Sequence, residues 1–114
     1  MERFSVKLLF QFRVEVDGRA DRFRTCEERI ICFKARSARA ALAQARSRGK
    51  KAEFDYICTT GAKVKFQFVG VLDMTELSSI CGPDEVWYDI SRRLLPMERK
   101  SKIIPTDEKL LERT

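Results

Sequence analysis

Phe4, Val6, Leu8, Phe10, Phe12, Val14 and Val16 occupy every even position from 4 to 16, with Ser5, Lys7, Leu9, Gln11, Arg13 and Glu15 between them. Successive side chains of an extended chain point to opposite faces, so this period of two predicts a long strand with one apolar and one mostly polar face. Asp17-Gly18 follows, a turn signal because both residues tolerate positive φ. A second strand is expected from about Phe23 to Ala35, ending in the denser apolar run Ile30-Ile31-Cys32-Phe33. Two strands across a short turn read as an antiparallel hairpin.

Ser37 is placed to cap a helix over Ala38 to Arg48. Ala38, Ala41, Leu42 and Ala45 recur at helical spacing and form a narrow face of small side chains for close packing on a sheet. Gly49 stands where a left-handed C-cap is expected. Arg39 and Arg46 share the outward side with Ala43. A third strand over about Glu53 to Thr59 leads through Thr60-Gly61 into a fourth from Lys63 to Leu72. Its run Phe68-Val69-Gly70-Val71-Leu72 is apolar at every position, which points to a central strand or a covered second face. Gly70 within it marks a bulge or a close backbone approach. Asp73 and Glu76 fit a capping box opening a short helical turn that reaches about Ile80, a better reading than a catalytic acid pair. Gly82-Pro83-Asp84 then turns the chain into a fifth strand, Glu85 to Leu94, expected at a sheet edge. Trp87 and Tyr88 in it point to opposite faces, so one of the two is exposed unless something covers it.

The expected fold is α+β: an antiparallel sheet of about five strands, in the order β-β-α-β-β-turn-β, with one main helix on one face. With 114 residues the chain is read as a single domain over 1–95 and a charged tail over 96–114, flexible or carrying a short helix from about Asp107. No apolar run approaches the roughly 18–20 residues that span a bilayer, and the N-terminus lacks an export signal, so a cytoplasmic protein with no membrane contact is expected.

The chain has no histidine, which removes Ser-His and Cys-His nucleophilic systems, HExxH metal sites and histidine acid/base chemistry. Cys26, Cys32, Cys58 and Cys81 match no zinc-ligand or CxxC spacing and are expected as free, buried thiols. No Gly-rich phosphate loop or GxSxG elbow accompanies the carboxylates, so no catalytic residue, metal site or cofactor is expected. The net charge of +6 is uneven, with fourteen Lys/Arg against six Asp/Glu over residues 1–52. The stretch from Lys34 to Lys51 holds no acid. Such a stretch is either a solvated helix face or a patch that attracts phosphate or an acidic protein surface.

The opening Phe4-Ser5-Val6-Lys7-Leu8-Leu9-Phe10, the segment Glu27 to Ala35 leading into an alanine-rich helix, and Phe66-Gln67-Phe68-Val69-Gly70-Val71-Leu72-Asp73 ahead of Glu76-Leu77 and Glu85-Val86 resemble a bacterial family of small proteins catalogued as domain of unknown function 4288. The resemblance spans roughly residues 4–92. It implies a bacterial intracellular origin and a compact α+β unit, and it brings no activity with it. The basic helix departs from the acidic or mixed helix usual in that family, so no surface role of the helix carries across.

Without catalytic machinery, the expected function is a non-enzymatic protein-interaction module, an inhibitor or immunity protein, with a partner presenting an acidic surface. The candidate contacts are Arg36, Arg39, Arg46, Arg48, Lys50 and Lys51 on the helix, and Trp87 and Tyr88 on the edge strand, through which a homodimer is also conceivable. The alternative is nucleic-acid binding by the basic segment 34–51. That segment has charge for phosphates but no interleaved aromatic residues for stacking on bases.

Overall fold

The computed structural model describes residues 1–77 and 88–112, with residues 88–90 described by their backbone alone. In chain order the elements are β1 (Glu2–Val16), β2 (Arg19–Ala20), β3 (Phe23–Ala35), α1 (Ala38–Lys51), β4 (Phe54–Ile57), β5 (Lys63–Leu77), β6 (Tyr88–Leu94), α2 (Lys100–Ile103) and α3 (Asp107–Glu112). The class is α+β, a six-stranded antiparallel sheet in the order β4-β5-β1-β3-β6, with the two-residue β2 paired to the end of β1.

β1 is the spine of the sheet, paired with β3 on one side and with β5 on the other. The Asp17-Gly18 turn forms with both residues at positive φ, 52° and 75°, the left-handed pair that a two-residue hairpin turn needs. Past β2, Asp21 pairs back to Val14. Its N–H donates to the Val14 carbonyl at 2.9 Å and its carboxylate accepts the Val14 N–H at 3.0 Å. The register moves from Glu15↔Ala20 to Gln11↔Cys26, a slip of two residues, and an even slip keeps the two faces of β3 in phase.

Ser37 caps α1 as its sequence position requires, its Oγ accepting the Ala40 N–H at 3.1 Å. Ala41, Leu42 and Ala45 are buried against Phe4, Val6, Leu8 and Phe10 of β1, Phe33 of β3 and Phe66 and Phe68 of β5. Gly49 is not the left-handed cap that was expected. The helix runs through it to Lys51 and closes on Ala52 in an ordinary right-handed conformation. Gly49 serves instead by its lack of volume: a Cβ there would lie 2.5 Å from the Phe68 ring, so glycine lets the last turns of α1 settle on the sheet.

The helical turn expected at Asp73 and Glu76 is also corrected. Residues 73–77 continue β5, and the remainder of that expected turn, up to Ile80, lies outside the described residues. The cause is a distant partner: β1 pairs Lys7 with Asp73 and Arg3 with Leu77. Residues three apart on a strand face opposite ways, so Asp73 and Glu76 form neither a capping box nor an acid pair.

β5 bulges twice, with Val69 and Leu72 opposed by no residue of β1. One bulge flips the faces and the second restores them. Val69 and Leu72 thereby reach the face opposite α1, where they join Leu9 and Cys26 beneath Met97, Ile103 and Ile104. This is the covered second face that the apolar run of β5 implied. Gly70 adjoins the bulge, and a Cβ on it would lie 2.9 Å from Ile104.

Residues 96–112 form a strap. Met97, Ile103 and Ile104 lie on the second face, while Leu110 of α3 is fully buried in the core on the α1 face. The strap therefore rounds the outer edge of β5, in the stretch left open because β4 pairs only with residues 63–66. β6 stands at the opposite edge of the sheet; the Gly82-Pro83-Asp84 turn before it lies outside the described residues. Among the described residues no helix is long and apolar enough to cross a membrane.

Candidate functional site

The lengths of α1 and β1 leave part of the sheet bare. Fourteen helical residues span about 21 Å, while fifteen extended residues span about 50 Å. α1 covers the end of the sheet built on Phe4 to Phe10. The same face continues through Phe12, Val14 and Val16 on β1, Phe23 on β3, Phe54 and Tyr56 on β4, and Leu94 on β6. The registers Phe12↔Phe66, Phe54↔Phe66, Tyr56↔Val64 and Phe23↔Leu94 carry all of them to one side.

This bare end is rich in aromatic rings. Phe66 stacks on Phe10 at 4.7 Å between ring centroids, and Phe12 and Phe54 lean on it at 4.8 and 4.9 Å. Towards solvent the cover runs out: Val16 is 55% exposed, Phe23 and Phe54 51%, Tyr56 45% and Leu94 41%. Two arginines lie over the rings, the Arg29 Cζ 4.9 Å from the centre of Phe10 and the Arg92 Cζ 4.4 Å from that of Phe23. A guanidinium over an aromatic face keeps its charge while its stem covers apolar area. Arg29 is also ion-paired with Glu27. Soluble monomers seldom leave large apolar side chains grouped in this way without a use for them.

The opposite face holds a buried polar network. The Arg24 side chain is 1% exposed and donates four hydrogen bonds: Nε to the Asp21 carbonyl at 2.9 Å, Nη1 to Gln11 Oε1 at 3.2 Å and to Glu98 Oε1 at 2.8 Å, and Nη2 to Glu98 Oε2 at 3.0 Å. Gln11 in turn donates to Gln67 at 2.7 Å. The hydrogen bonds from Arg24 hold the Glu98 carboxyl below the usual carboxylate range. This constellation fastens the strap to the sheet, and its partners are too far apart in the chain for any sequence spacing to announce them.

The described candidate contact residues are engaged in different ways. Arg46 makes a two-pronged pair with Asp107 of α3, at 2.6 and 3.4 Å. The Arg48 guanidinium sits 4.8 Å from the centre of the Phe33 ring, and Lys50 lies 3.8 Å from Glu53. Arg36, Arg39 and Lys51 are exposed. The backbone of Tyr88 pairs with Arg29 at the start of β6, and Trp87 lies outside the described residues. The bare sheet end was missed in the sequence, yet one signal for it was there: a predicted helix of eleven residues cannot roof a predicted strand of thirteen.

Of the cysteines with described side chains, only Cys26 is buried, and burial pushes its thiol up. Cys32 and Cys58 are partly exposed, against expectation, because Cys32 lies on the thinly covered second face and Cys58 in the β4–β5 turn. A hydrogen bond with the Thr60 hydroxyl, 3.2 Å away, draws the Cys58 thiol below its ordinary value. Cys81 lies outside the described residues. Among the described residues no three His, Cys, Asp or Glu side chains are grouped to hold a metal ion.

A long antiparallel sheet, roofed over half of one face by a single main helix and strapped across the other, defines a small α+β domain. The chain belongs to the family described as Domain of unknown function (DUF4288), whose model matches residues 3–85. No curated protein and no solved structure matches it. The match takes in β1 to β5 and most of the aromatic end, and leaves β6 and the strap outside.

Proposed function

We propose that this protein is a protein-binding module that docks a partner on the bare aromatic end of its sheet. The observation that supports this reading is the grouping of Val16, Phe23, Phe54, Tyr56 and Leu94, all exposed on one face beside Arg29 and Arg92. Aromatic residues and arginine are the side chains that most often carry interface energy, and Phe54 on this face stacks on both Phe66 and Tyr56. The cations beside them and the net charge of +6 favour a partner with acidic side chains around an apolar centre, which they steer towards the face. Bound across a partner's working surface, a module of this size acts as an inhibitor or an immunity protein.

The test compares two double variants, Phe23→Ser with Leu94→Ser on the face, and Arg36→Gln with Arg39→Gln on α1. An acidic protein recovered with the wild type and purified is expected to bind it in isolation. The face variant is expected to weaken that binding by about tenfold or more, roughly 1.4 kcal/mol, and the helix variant to leave it unchanged. Loss of binding in the helix variant alone overturns the reading. So does binding of a single-stranded oligonucleotide with a steep salt dependence, which marks phosphate contacts as the source of affinity.

A further inference from the structure

The backbone edges of this sheet are not all treated alike. On the outer edge of β5, the first N–H past the end of β4 belongs to Phe68, and the Glu53 carboxylate accepts it at 2.9 Å. Beyond that, Ile104 of the strap crosses at Gly70. β6 at the far edge carries Arg92 and Arg93, charges of the kind that discourage pairing with another strand. β4 has neither a strap, a capping carboxylate nor arginines, and its one charge is the Asp55 carboxylate. Its sequence is Phe54-Asp55-Tyr56-Ile57, with no lysine, arginine or proline, and every residue in it is exposed.

The hydrogen-bonding direction along β4 follows from its turn. Cys58 N–H donates to the Ala62 carbonyl at 2.9 Å, so its backbone groups face β5. Backbone groups of an antiparallel strand alternate in direction, so Tyr56 and Phe54 also face β5, whereas Asp55 and Ile57 turn their N–H and C=O outward. Among the described residues no other strand lies along that side.

We propose that the outer edge of β4 receives an extended acidic segment of the partner protein as an added strand. This rests on the reading of the sheet face given above and extends it, because Phe54 and Tyr56 belong to both surfaces. A strand added here hydrogen-bonds to Asp55 and Ile57 and lays alternate side chains beside Phe54 and Tyr56. Acidic character is favoured by Lys63, which shares a hollow of about 420 Å³ with Asp55, Tyr56 and Ile57, and by exposed Lys51 just before the strand. The same charge argues against a second copy as the occupant, since each copy carries +6.

The probe is a labelled eight-residue peptide of alternating valine and glutamate, with a valine–lysine peptide as its counterpart. Fluorescence anisotropy reads binding, and backbone amide exchange by NMR reads its place. The valine–glutamate peptide is expected to slow exchange at Asp55 and Ile57, and to bind about tenfold or more tightly than its counterpart. Ile57→Pro removes one outward N–H and leaves the β5 ladder intact, so it is expected to cost about tenfold or more in affinity with the thermal midpoint little changed. Asp55→Lys, which exchanges the edge carboxylate for a cation, serves as a second variant if the proline disturbs the fold, and it is expected to tighten binding of the valine–glutamate peptide.

No binding at millimolar peptide, equal binding of both peptides, full affinity in Ile57→Pro, or an Asp55→Lys variant that binds the valine–glutamate peptide no more tightly overturns the proposal. Protection at β6 in place of β4 also overturns it, as does a peptide-free protein that doubles in mass with Asp55 and Ile57 already protected. The two readings fail separately. A purified partner that is lost with Phe23→Ser and Leu94→Ser but kept with Ile57→Pro removes the added strand and leaves the docking face.

Discussion

Phe10 and Phe12 stand two residues apart on β1, point the same way and touch the same ring of Phe66. Phe10 is fully buried among Phe66, Phe68 and the α1 layer, whereas Phe12 lies at the margin of that core. The two ends of the face are therefore made of the same kinds of residue and differ in what lies above them. Aliphatic and aromatic patterning on a strand says only that a face is to be covered. At the α1 end the chain provides the cover itself; at the other end the apolar side chains remain in contact with water.

The comparison can be broken most directly by truncating a ring at the covered end. Phe10→Ala is expected to cost about 4 kcal/mol in urea unfolding, the range for deleting a buried phenylalanine. A loss below about 1 kcal/mol would mean that α1 does not hold that end closed. Next comes the latch on the opposite face. Glu98→Ala leaves the buried Arg24 guanidinium without its half-exposed carboxylate, with Asp21 and Gln11 still bonded to it, and is expected to cost about 2 kcal/mol. The same pair gives stability a pH dependence. Because the folded Glu98 carboxyl titrates below its unfolded value, its contribution is complete above about pH 5 and is lost as the pH falls through the folded value. Wild type is expected to show that acid-side decline, and Glu98→Ala a shallower one.

Gly49→Ala is expected to lose about 1–2 kcal/mol although alanine is the better helix former, since its methyl group meets the Phe68 ring. A gain in stability would show that the ring yields. The smallest effect belongs to the bare end, where Phe23→Ser is expected to change stability by no more than about 0.5 kcal/mol while reducing the apolar surface that binds the dye ANS.

Features decided by neighbours in the chain were legible in the sequence. The alternation of β1, the Asp17-Gly18 turn and the Ser37 cap depend on a few residues each, and each formed where its pattern lies. Features decided at a distance were misread or unseen. Asp73-x-x-Glu76 reads locally as a capping box, and only Arg3 to Lys7, some seventy positions earlier, make it a strand. Gly49 reads locally as a helix stop, and only Phe68 makes it a packing residue. Arg24 looked like one more basic residue until Glu98 met it, a pair separated by 74 positions. The candidate surface was hidden for a related reason. Phe23, Phe54 and Tyr56 follow the same alternation as core residues, and pattern alone does not say where the roof ends.

The order in which the molecule is made gives the strap a further meaning. A ribosome delivers β3 well before Glu98, so Arg24 has only Asp21 and Gln11 as partners until the strap is made. A nascent chain stalled before that point would carry a guanidinium without the Glu98 carboxylate and uncovered Leu9 and Val69 on the same face, a sticky and incomplete object. The second face of the sheet is thus finished by the strap, and a cut near Met97 to Ile104 is felt in β1 and β3.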